Sequence, residues 1–159
     1  MSPPDLEAAT LRVRAALTAA GLDVEVVRVD PDARTAEGAA AAVGAPVGQI
    51  VKSLVFLSDG APVLALVSGA NRLDTAKLAA RTGGAISRAD ADAVRAATGY
   101  AIGGIPPIGH ATALPVFCDR DLLSYDTVWA AAGTPDTVFP VAPDRLVAAT
   151  AATVCDLAE

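Results

Sequence analysis

The chain has 159 residues, of which 53% are hydrophobic, and it carries a net charge of −6. This size and composition suit one compact domain, residues 1–159, with a core of its own. The acidic balance argues against a protein that grips nucleic acid over a broad phosphate surface, although it allows a local contact with a nucleic-acid end.

Short helices and strands follow one another along the chain, and Gly or Pro often marks their ends. They mix without strict βαβ alternation, which predicts an α+β fold with a mixed, largely antiparallel sheet. In chain order, we predict a helix opened by residues 3–5 and closed at 21, a strand over 24–29, a helix over 35–43 with Thr35 as its N-cap, strands over 51–57 and 62–67 joined by an Asp-Gly turn, a helix over 71–81, a short strand at 86, a helix over 88–98, strands over 100–102, 114–118, 127–131 and 137–141, and a helix from 143 towards 157.

Composition also bounds the location and the metal chemistry. No apolar run reaches the length of a membrane span, and the start MSPPDLE lacks the basic region and apolar core of a secretory signal. We therefore expect a cytoplasmic protein with no membrane partner. Cys118 and Cys155 lie in unrelated contexts, and the single histidine cannot complete a zinc site with them. We expect both thiols to be buried hydrophobes, and we expect no metal and no cofactor.

Lys52 is one of only two lysines, and it lies inside an apolar run that ends at Leu57. Side chains alternate between the faces of a strand, so Lys52 shares a face with Ile50, Leu54 and Phe56. Because burial of an unpaired ammonium is costly, the group either reaches solvent along its stem or points into a cleft that needs its charge. Position alone leaves both interpretations open.

The second informative stretch reads GGIPPIGH at residues 103–110. Its three glycines and two prolines make a loop that is locally rigid and still allows close approach of the backbone. Such a loop can present amide N–H groups to an oxygen, as an oxyanion hole does, and an ordinary turn between strands explains it equally well. Its spacing fits neither a dinucleotide fingerprint nor a phosphate-binding P-loop.

Other polar residues have simpler structural explanations. His110 is the only histidine, and a lone histidine after a glycine is more often structural than a catalytic base. Asn71 and Asp74 are most simply helix caps, and Asp136 is most simply a turn residue. One or two of the six aromatic residues could stack on a terminal base. No catalytic triad is recognisable.

Several stretches, taken in order, resemble the YbaK/ProRS-associated domain family of aminoacyl-tRNA editing domains. The resemblance runs from about residue 22 to residue 150, and the order and spacing of its parts are more specific than any single part. Those parts are Thr35-Ala36-Glu37 with Ala39-Ala40 and Gly44, residues 49–55, 74–78 and 98–100, the loop 103–109, and residues 114–117.

The resemblance implies a mixed sheet curled towards a barrel with helices around it. It also implies a free-standing enzyme that hydrolyses the ester of a mischarged tRNA, typically one for proline. Lys52 falls on the family's functional lysine, and Gly103 and Pro107 fall on its Gly-x-x-x-Pro loop, so Lys52 and Gly103 are the candidate catalytic residues. The lysine would anchor the substrate as a point charge and the loop would hold the ester carbonyl, while water or a substrate group attacks.

Further candidates for substrate binding lie around these two residues. Serine follows the lysine where the alanine-specific branch of the family carries asparagine, which favours the cysteine-type branch or a relative of it. His110 receives only a peripheral role. The candidate substrate-binding residues are Ser53, Gly104, Pro106, Pro107, His110 and Asp136.

The implied partners are the acceptor end of a mischarged tRNA, carrying a small amino acid such as cysteine or alanine, and prolyl-tRNA synthetase, with no DNA. A basic stretch over residues 72–88 fits an RNA patch and fits a solvated helix face equally well. The alternative function is a non-catalytic module that binds a synthetase or an aminoacyl group, which the acidic charge and the missing catalytic base motivate. An esterase or amidase acting on small metabolites is a third hypothesis.

Overall fold

A computed structural model describes residues 8–29 and 35–159, so the predicted opening of the first helix lies outside the described residues. Short 3₁₀ turns at Val47–Gln49 and Arg120–Ser124 connect some of the regular elements. In order, these elements are α1 (Ala8–Ala19), β1 (Val27–Arg28), α2 (Ala36–Val43), β2 (Val51–Ser58), β3 (Ala61–Ser68), α3 (Thr75–Thr82), β4 (Ile86–Arg88), α4 (Ala91–Thr98), β5 (Val116–Asp119), β6 (Val128–Ala131), β7 (Thr137–Val141), α5 (Pro143–Thr150) and β8 (Thr153–Cys155).

The strands form two sheets. The larger sheet has the order β4-β2-β3-β5-β8, in which β2 is antiparallel to both of its neighbours and the pairs β3–β5 and β5–β8 are parallel. The smaller sheet, β1-β7-β6, is antiparallel throughout. A bridge between Ile50 and Trp129 joins the two sheets at one corner, and no further ladder within residues 8–29 and 35–159 closes them into a barrel. The predicted α+β fold with a mixed, mostly antiparallel arrangement is confirmed.

Strand β3 lies at the centre of the fold and is buried on both faces. Leu64 and Leu66 belong to the main apolar core, whereas Val63, Ala65 and Val67 pack in a second core with α3 and the C-terminal segment. A strand covered on both sides reads as a continuous apolar run, as this one does. All eight residues of β2 pair with β3, so β2 is a rigid platform for the side chains that it presents.

Local signals in the sequence set several element ends as predicted. Thr35 caps α2 by accepting a hydrogen bond from the Gly38 N–H at 3.0 Å. Asp74 caps α3 in the same way through the N–H groups of its first turn. The hairpin turn places Asp59 and Gly60 at φ of 49° and 84°, the left-handed pair that a two-residue turn between twisted strands requires.

Three sequence-based expectations are wrong. Helix α3 starts at Thr75 instead of at residue 71, so Asn71 is not its cap. Residues 100–102 are not a strand, because the buried Tyr100 turns inward and its hydroxyl donates to the Gly109 carbonyl at 2.8 Å. The last helix ends at Thr150, since Ala151 adopts a left-handed φ of 54°, and the chain then returns as β8 alongside β5.

The helices are short and mostly cover the sheets. Within the described part of the chain, none of them is long and apolar enough to cross a membrane.

Candidate functional site

An open stretch of sheet edge lies along strand β2. Strand β4 pairs only with its last three residues, Phe56–Ser58, and the bridge from Ile50 to Trp129 fixes its other end. Between these points, residues 51–55 have no strand beside them on that edge among the residues that the structure describes. A cavity of about 940 Å³ surrounds this open edge and is lined by side chains from both faces of β2.

The two faces of β2 line the cavity differently. We call the face with Lys52, Leu54 and Phe56 the lysine face, and its apolar residues pack against the second core. Arg88 lies on this same face, because it pairs directly with Phe56. We call the opposite face, with Val51, Ser53 and Val55, the serine face. Its two valines belong to the main core, which also contributes Val94 and Ile105 to the cavity wall.

Lys52 is half-buried and lines the cavity. Its ammonium group donates a hydrogen bond to the backbone carbonyl of Asn71 at 2.5 Å. This contact points the group across the cavity wall, so Lys52 is held by the protein and does not simply extend into solvent. An ammonium has three donors, and the Asn71 carbonyl uses one of them. Two N–H groups therefore remain for a ligand.

Ser53 places unsatisfied polar groups beside this lysine. Its hydroxyl oxygen is buried and has no hydrogen-bond partner among the described residues. The Gly69 N–H donates to the Ile50 carbonyl on the β3 side, and backbone direction alternates along an antiparallel pair. The N–H and C=O of Ser53 therefore face the open edge. Because a buried hydroxyl without a partner costs about 1–3 kcal/mol, a polar ligand group at this point would bind favourably.

The loop at 103–107 supplies part of the cavity wall through Gly103 and Ile105. Gly103 lines the cavity and has φ of +98°, a conformation that favours glycine. The N–H groups of Gly103 and Ile105 have no acceptor among the described residues, whereas the Gly104 N–H is engaged with the Ala101 carbonyl at 3.1 Å. Gly104, Pro106 and Pro107 are buried behind the wall. The predicted loop thus contributes Gly103 and Ile105 to the cavity lining, whereas Gly104, Pro106 and Pro107 are not part of that lining.

Gly104 packs tightly against the next loop of the chain. A Cβ atom at Gly104 would lie 2.8 Å from the Thr134 Cα and 2.9 Å from the Gly133 carbonyl oxygen. These are backbone atoms, which cannot yield as the end of a flexible side chain does. The predicted substrate-binding role of Gly104 stays a prediction, and its observed role is this close approach between loops.

His110 lies away from the cavity lining. Its Nε2 lies 2.7 Å from the Pro106 carbonyl oxygen, so this ring nitrogen carries the proton and donates it. Burial lowers the pKa of His110, which keeps the imidazole neutral near pH 7. The ring therefore braces the loop from behind, and its predicted peripheral contact with substrate stays a prediction.

Asp136 also lies outside the lining, although its neighbour Pro135 is part of it. Its carboxylate accepts a hydrogen bond from the Thr134 hydroxyl at 2.8 Å and pairs with Arg28 at 2.8 Å. Its carbonyl accepts the Val29 N–H at 2.7 Å. Asp136 therefore ties β1 to the loop before β7, as a turn residue would.

The cavity is locally basic in an acidic protein. Lys52, Arg72 and Arg88 line it, and Glu159 is the acidic residue of the lining. Neither arginine forms an ion pair within residues 8–29 and 35–159. The basic stretch over residues 72–88 therefore does not act as one patch. Arg72 and Arg88 line the cavity, whereas Lys77 lies outside it and pairs with Asp156 at 2.8 Å. The two free guanidinium groups suit an anionic ligand.

The partners of Lys52 were not found by sequence reasoning. Asn71 is half-buried, and its side-chain amide donates to the carboxylates of Asp119 and Asp121, each at 2.8 Å. Asp119 is fully buried. The sequence did offer one indication of Asp119, because it is a charged residue at the end of the apolar strand Val116–Asp119. Lys52 was identified in the same way, as a charged residue in an apolar strand.

Neither cysteine is suited to nucleophilic chemistry. Cys118 and Cys155 are buried and form no disulfide, and each thiol donates to a backbone carbonyl, of Asp119 and of Thr153 respectively. Burial, followed by the charge of Asp119, raises the pKa of Cys118 to about 12, so its thiol stays protonated. No cluster of metal-binding side chains occurs in the described part of the chain. The arrangement can bind, orient and polarise a substrate, and the attacking group would be water or part of that substrate.

The sequence matches a model of the aminoacyl-tRNA editing domain over residues 30–149. The candidate Cys-tRNA(Pro)/Cys-tRNA(Cys) deacylase EbsC of Enterococcus faecalis is 30% identical over 121 residues, which cover 75% of this chain and 74% of EbsC. The proline–tRNA ligase of Nitratidesulfovibrio vulgaris is 38% identical over 93 residues, which cover 58% of this chain and only 16% of the ligase. The chain therefore corresponds to a small part of that enzyme.

Solved structures show the same architecture. A candidate trans-editing enzyme for prolyl-tRNA synthetase superposes with a TM-score of 0.94 at 49% identity, covering 98% of this chain and 99% of the other. The hypothetical protein APE2540 superposes with a TM-score of 0.87 at 31% identity, covering 93% of this chain and 99% of the other. Both likenesses therefore extend over nearly the whole chain.

Proposed function

The chain belongs to the aminoacyl-tRNA editing domain family, and from that premise we propose that it clears tRNA-Pro of a small, wrongly attached amino acid such as cysteine or alanine. Membership makes it a trans-editing deacylase, a hydrolase that cleaves the ester between an amino acid and its tRNA. The proposal adds the tRNA, the amino acid and the roles of individual residues.

The observation that carries these roles is the shared cavity of Lys52 and Gly103. They lie on different elements, and the open edge of β2 lies in the same cavity with Ser53 on it. An aminoacyl ester has a charged, hydroxyl-rich nucleotide on one side of the bond and a compact acyl group on the other. We assign the nucleotide side to the lysine face and the acyl group to the serine face.

In this arrangement each group has a simple task. The two remaining N–H groups of Lys52 bind oxygens of the terminal ribose or phosphate. The N–H groups of Gly103 and Ile105 face the developing oxyanion as water or a substrate group attacks the ester carbon. The apolar lining of the serine face limits the size of the side chain, although each methylene contributes only about 1–3 kcal/mol of discrimination.

The cavity charges support an RNA end as the ligand. Arg72 and Arg88 add two cations to a protein whose net charge is −6, so attraction for phosphate is confined to the neighbourhood of the site. Weak attraction elsewhere favours an assisting protein that holds the body of the tRNA. We propose prolyl-tRNA synthetase for that role and the cytoplasm as the place of action.

The test is a deacylation panel with tRNA-Pro charged with cysteine, alanine, serine or proline. Lys52→Ala is compared with Lys77→Ala, which removes the other lysine outside the cavity. We expect the wild type and Lys77→Ala to release cysteine or alanine and to spare proline, with Lys52→Ala slower by a factor on the order of 10².

Full activity of Lys52→Ala would refute the assigned role of this lysine. Tight binding to the synthetase without any accelerated deacylation would instead support the non-catalytic binding module. Equal turnover of free aminoacyl esters and charged tRNA would support the small-molecule esterase.

A further inference from the structure

The direction of the Lys52 ammonium group depends on one backbone carbonyl. Lysine has a long flexible stem, and its charged end can occupy many positions. Here that end donates to the Asn71 carbonyl oxygen at 2.5 Å, and Lys52 forms no ion pair with a described carboxylate. Whatever fixes the Asn71 carbonyl therefore also fixes the charge that lines the cavity.

Asn71 is itself held at three points. Its N–H donates to the Ser68 carbonyl at 2.9 Å, which closes a turn after β3. The two donors of its side-chain amide are both used, since Nδ2 lies 2.8 Å from the Oδ2 of Asp119 and 2.8 Å from the Oδ2 of Asp121. An amide nitrogen has only these two donors, so its hydrogen bonding is complete.

Asp119 is the buried centre of this arrangement. It is 0% exposed and ends strand β5, which runs parallel to β3. Besides Asn71, its carboxylate accepts the Ser68 N–H at 3.3 Å and the Asp121 N–H at 3.0 Å. Asp119 forms no ion pair among the described residues, so these hydrogen bonds are what stabilise its buried carboxylate, and we expect its removal to free the turn that carries Asn71.

We infer that Asn71 and Asp119 are positioning residues for Lys52, and that they aim its two remaining N–H groups at the substrate. The substrate part of this inference rests on the proposed deacylase function. The chain of contacts runs from the end of β5, through the turn after β3, to the lysine on β2. The orientation of the Lys52 side chain is therefore set by contacts with β5 and with the turn after β3.

The first test needs no enzyme activity. Lys52 and Lys77 are the only lysines, so isotope labelling of lysine gives two side-chain ammonium signals in an NMR spectrum. We expect Asp119→Asn to shift the Lys52 signal and to speed its proton exchange with water, while the Lys77 signal stays in place. Asp156→Asn is the matched control, because Asp156 pairs with Lys77 at 2.8 Å and its loss is expected to move only the Lys77 signal.

Asn71→Ala repeats the test at a half-buried position if Asp119→Asn does not fold. It leaves the backbone carbonyl in place and removes only the amide that anchors it. An unchanged Lys52 signal in a folded Asn71→Ala or Asp119→Asn protein overturns the inference.

The second test is a double-mutant cycle in deacylation. We expect Asn71→Ala to lower kcat/KM by roughly tenfold, because that factor corresponds to the free energy of one hydrogen bond to a charged group. In the Lys52→Ala background, we expect Asn71→Ala to have no further effect. An equal loss in both backgrounds would mean a merely structural role and would overturn the inference. If the wild type cleaves no charged tRNA, the proposed function fails, and the ammonium spectrum alone decides whether Asn71 and Asp119 position Lys52.

Discussion

The lysine face and the serine face of strand β2 differ in how completely their polar groups are bonded. On the lysine face, the ammonium of Lys52 is bonded to Asn71, which is in turn bonded to buried Asp119. On the serine face, the hydroxyl of Ser53 is buried among apolar residues and has no hydrogen-bond partner within residues 8–29 and 35–159. One face thus has a charge held in place, and the other has an unmet hydrogen-bonding group.

This difference suggests a division of labour along a single strand. In the proposed function, the fixed charge would interact with the ribose and phosphate that every charged tRNA presents, so it would contribute to all substrates alike. The hydroxyl of Ser53 would contact the acyl group, which changes from one amino acid to the next. Alternation of side chains in a strand would thus give two tasks to neighbouring residues that face opposite sides.

The largest effect is expected behind the serine face, at Gly104. The Gly104→Ala methyl would meet the backbone of Gly133 and Thr134 at under 3 Å, which we expect to lower the free energy of unfolding by about 1–3 kcal/mol and to displace Gly103 from the cavity wall. Urea denaturation and deacylation rates measure the two consequences.

Gly21→Ala is the control for the Gly104 substitution. A methyl at Gly21 meets no atom within 4 Å, and only the left-handed φ of +76° opposes it. We expect this variant to lose some stability and to keep its activity per folded molecule. A Gly104→Ala protein that matches the wild type in both stability and activity would show that the close packing of the two loops is unimportant.

A smaller effect is expected from the arginines of the cavity. Arg72→Ala and Arg88→Ala should each weaken binding of charged tRNA at low salt and reduce the slope of log KM against log salt by about one phosphate contact. Arg81→Ala is the matched control, because Arg81 is an exposed basic residue that does not line the cavity. Equal effects at all three positions would indicate a diffuse charge effect and would remove the arginines from the site.

The smallest effect concerns His110 behind the loop. Burial holds its folded-state pKa below the ordinary value, so the folded protein binds fewer protons at this site than the unfolded chain. The neutral imidazole of His110 therefore contributes its full stability above the pKa that His110 has in the unfolded chain. This contribution is lost as the pH falls through the lower pKa that His110 has in the folded protein. We expect His110→Gln, which cannot titrate, to unfold with less pH dependence than the wild type in urea titrations between about pH 4.5 and 7.5. Parallel profiles for the two proteins would contradict this expectation.

Local chemistry was enough to predict many elements of the fold. The caps at Thr35 and Asp74 and the Asp59-Gly60 turn depend on neighbouring residues, and the structure confirms them. Strand β8 depends on pairing with β5, so an alanine-rich pattern before it suggested a longer helix instead. Its sequence Thr153–Cys155 contains β-branched residues, a weak signal that the helix prediction outweighed.

In the site, too, features that depend on neighbouring residues could be predicted from the sequence, and contacts between distant residues could not. Alternation predicted that Lys52 shares a face with Ile50, Leu54 and Phe56. The structure packs Leu54 and Phe56 against the second core, whereas Ile50 packs in a separate cluster with Ala39 and Ala40. The contact from Asn71 to Asp119 joins residues 48 positions apart, which no local pattern reveals. The direction of the Lys52 ammonium group therefore could not be predicted from the sequence and became visible only in the folded structure.

The most direct test of the division between the faces measures kcat/KM for two substrates and three proteins. The substrates are tRNA-Pro charged with cysteine and with alanine, and the proteins are the wild type, Lys52→Ala and Ser53→Ala. We predict that Lys52→Ala lowers both values by the same factor, on the order of 10², and that Ser53→Ala mainly changes their ratio, by about five- to tenfold. A changed ratio in Lys52→Ala together with an equal loss for both substrates in Ser53→Ala would contradict the account.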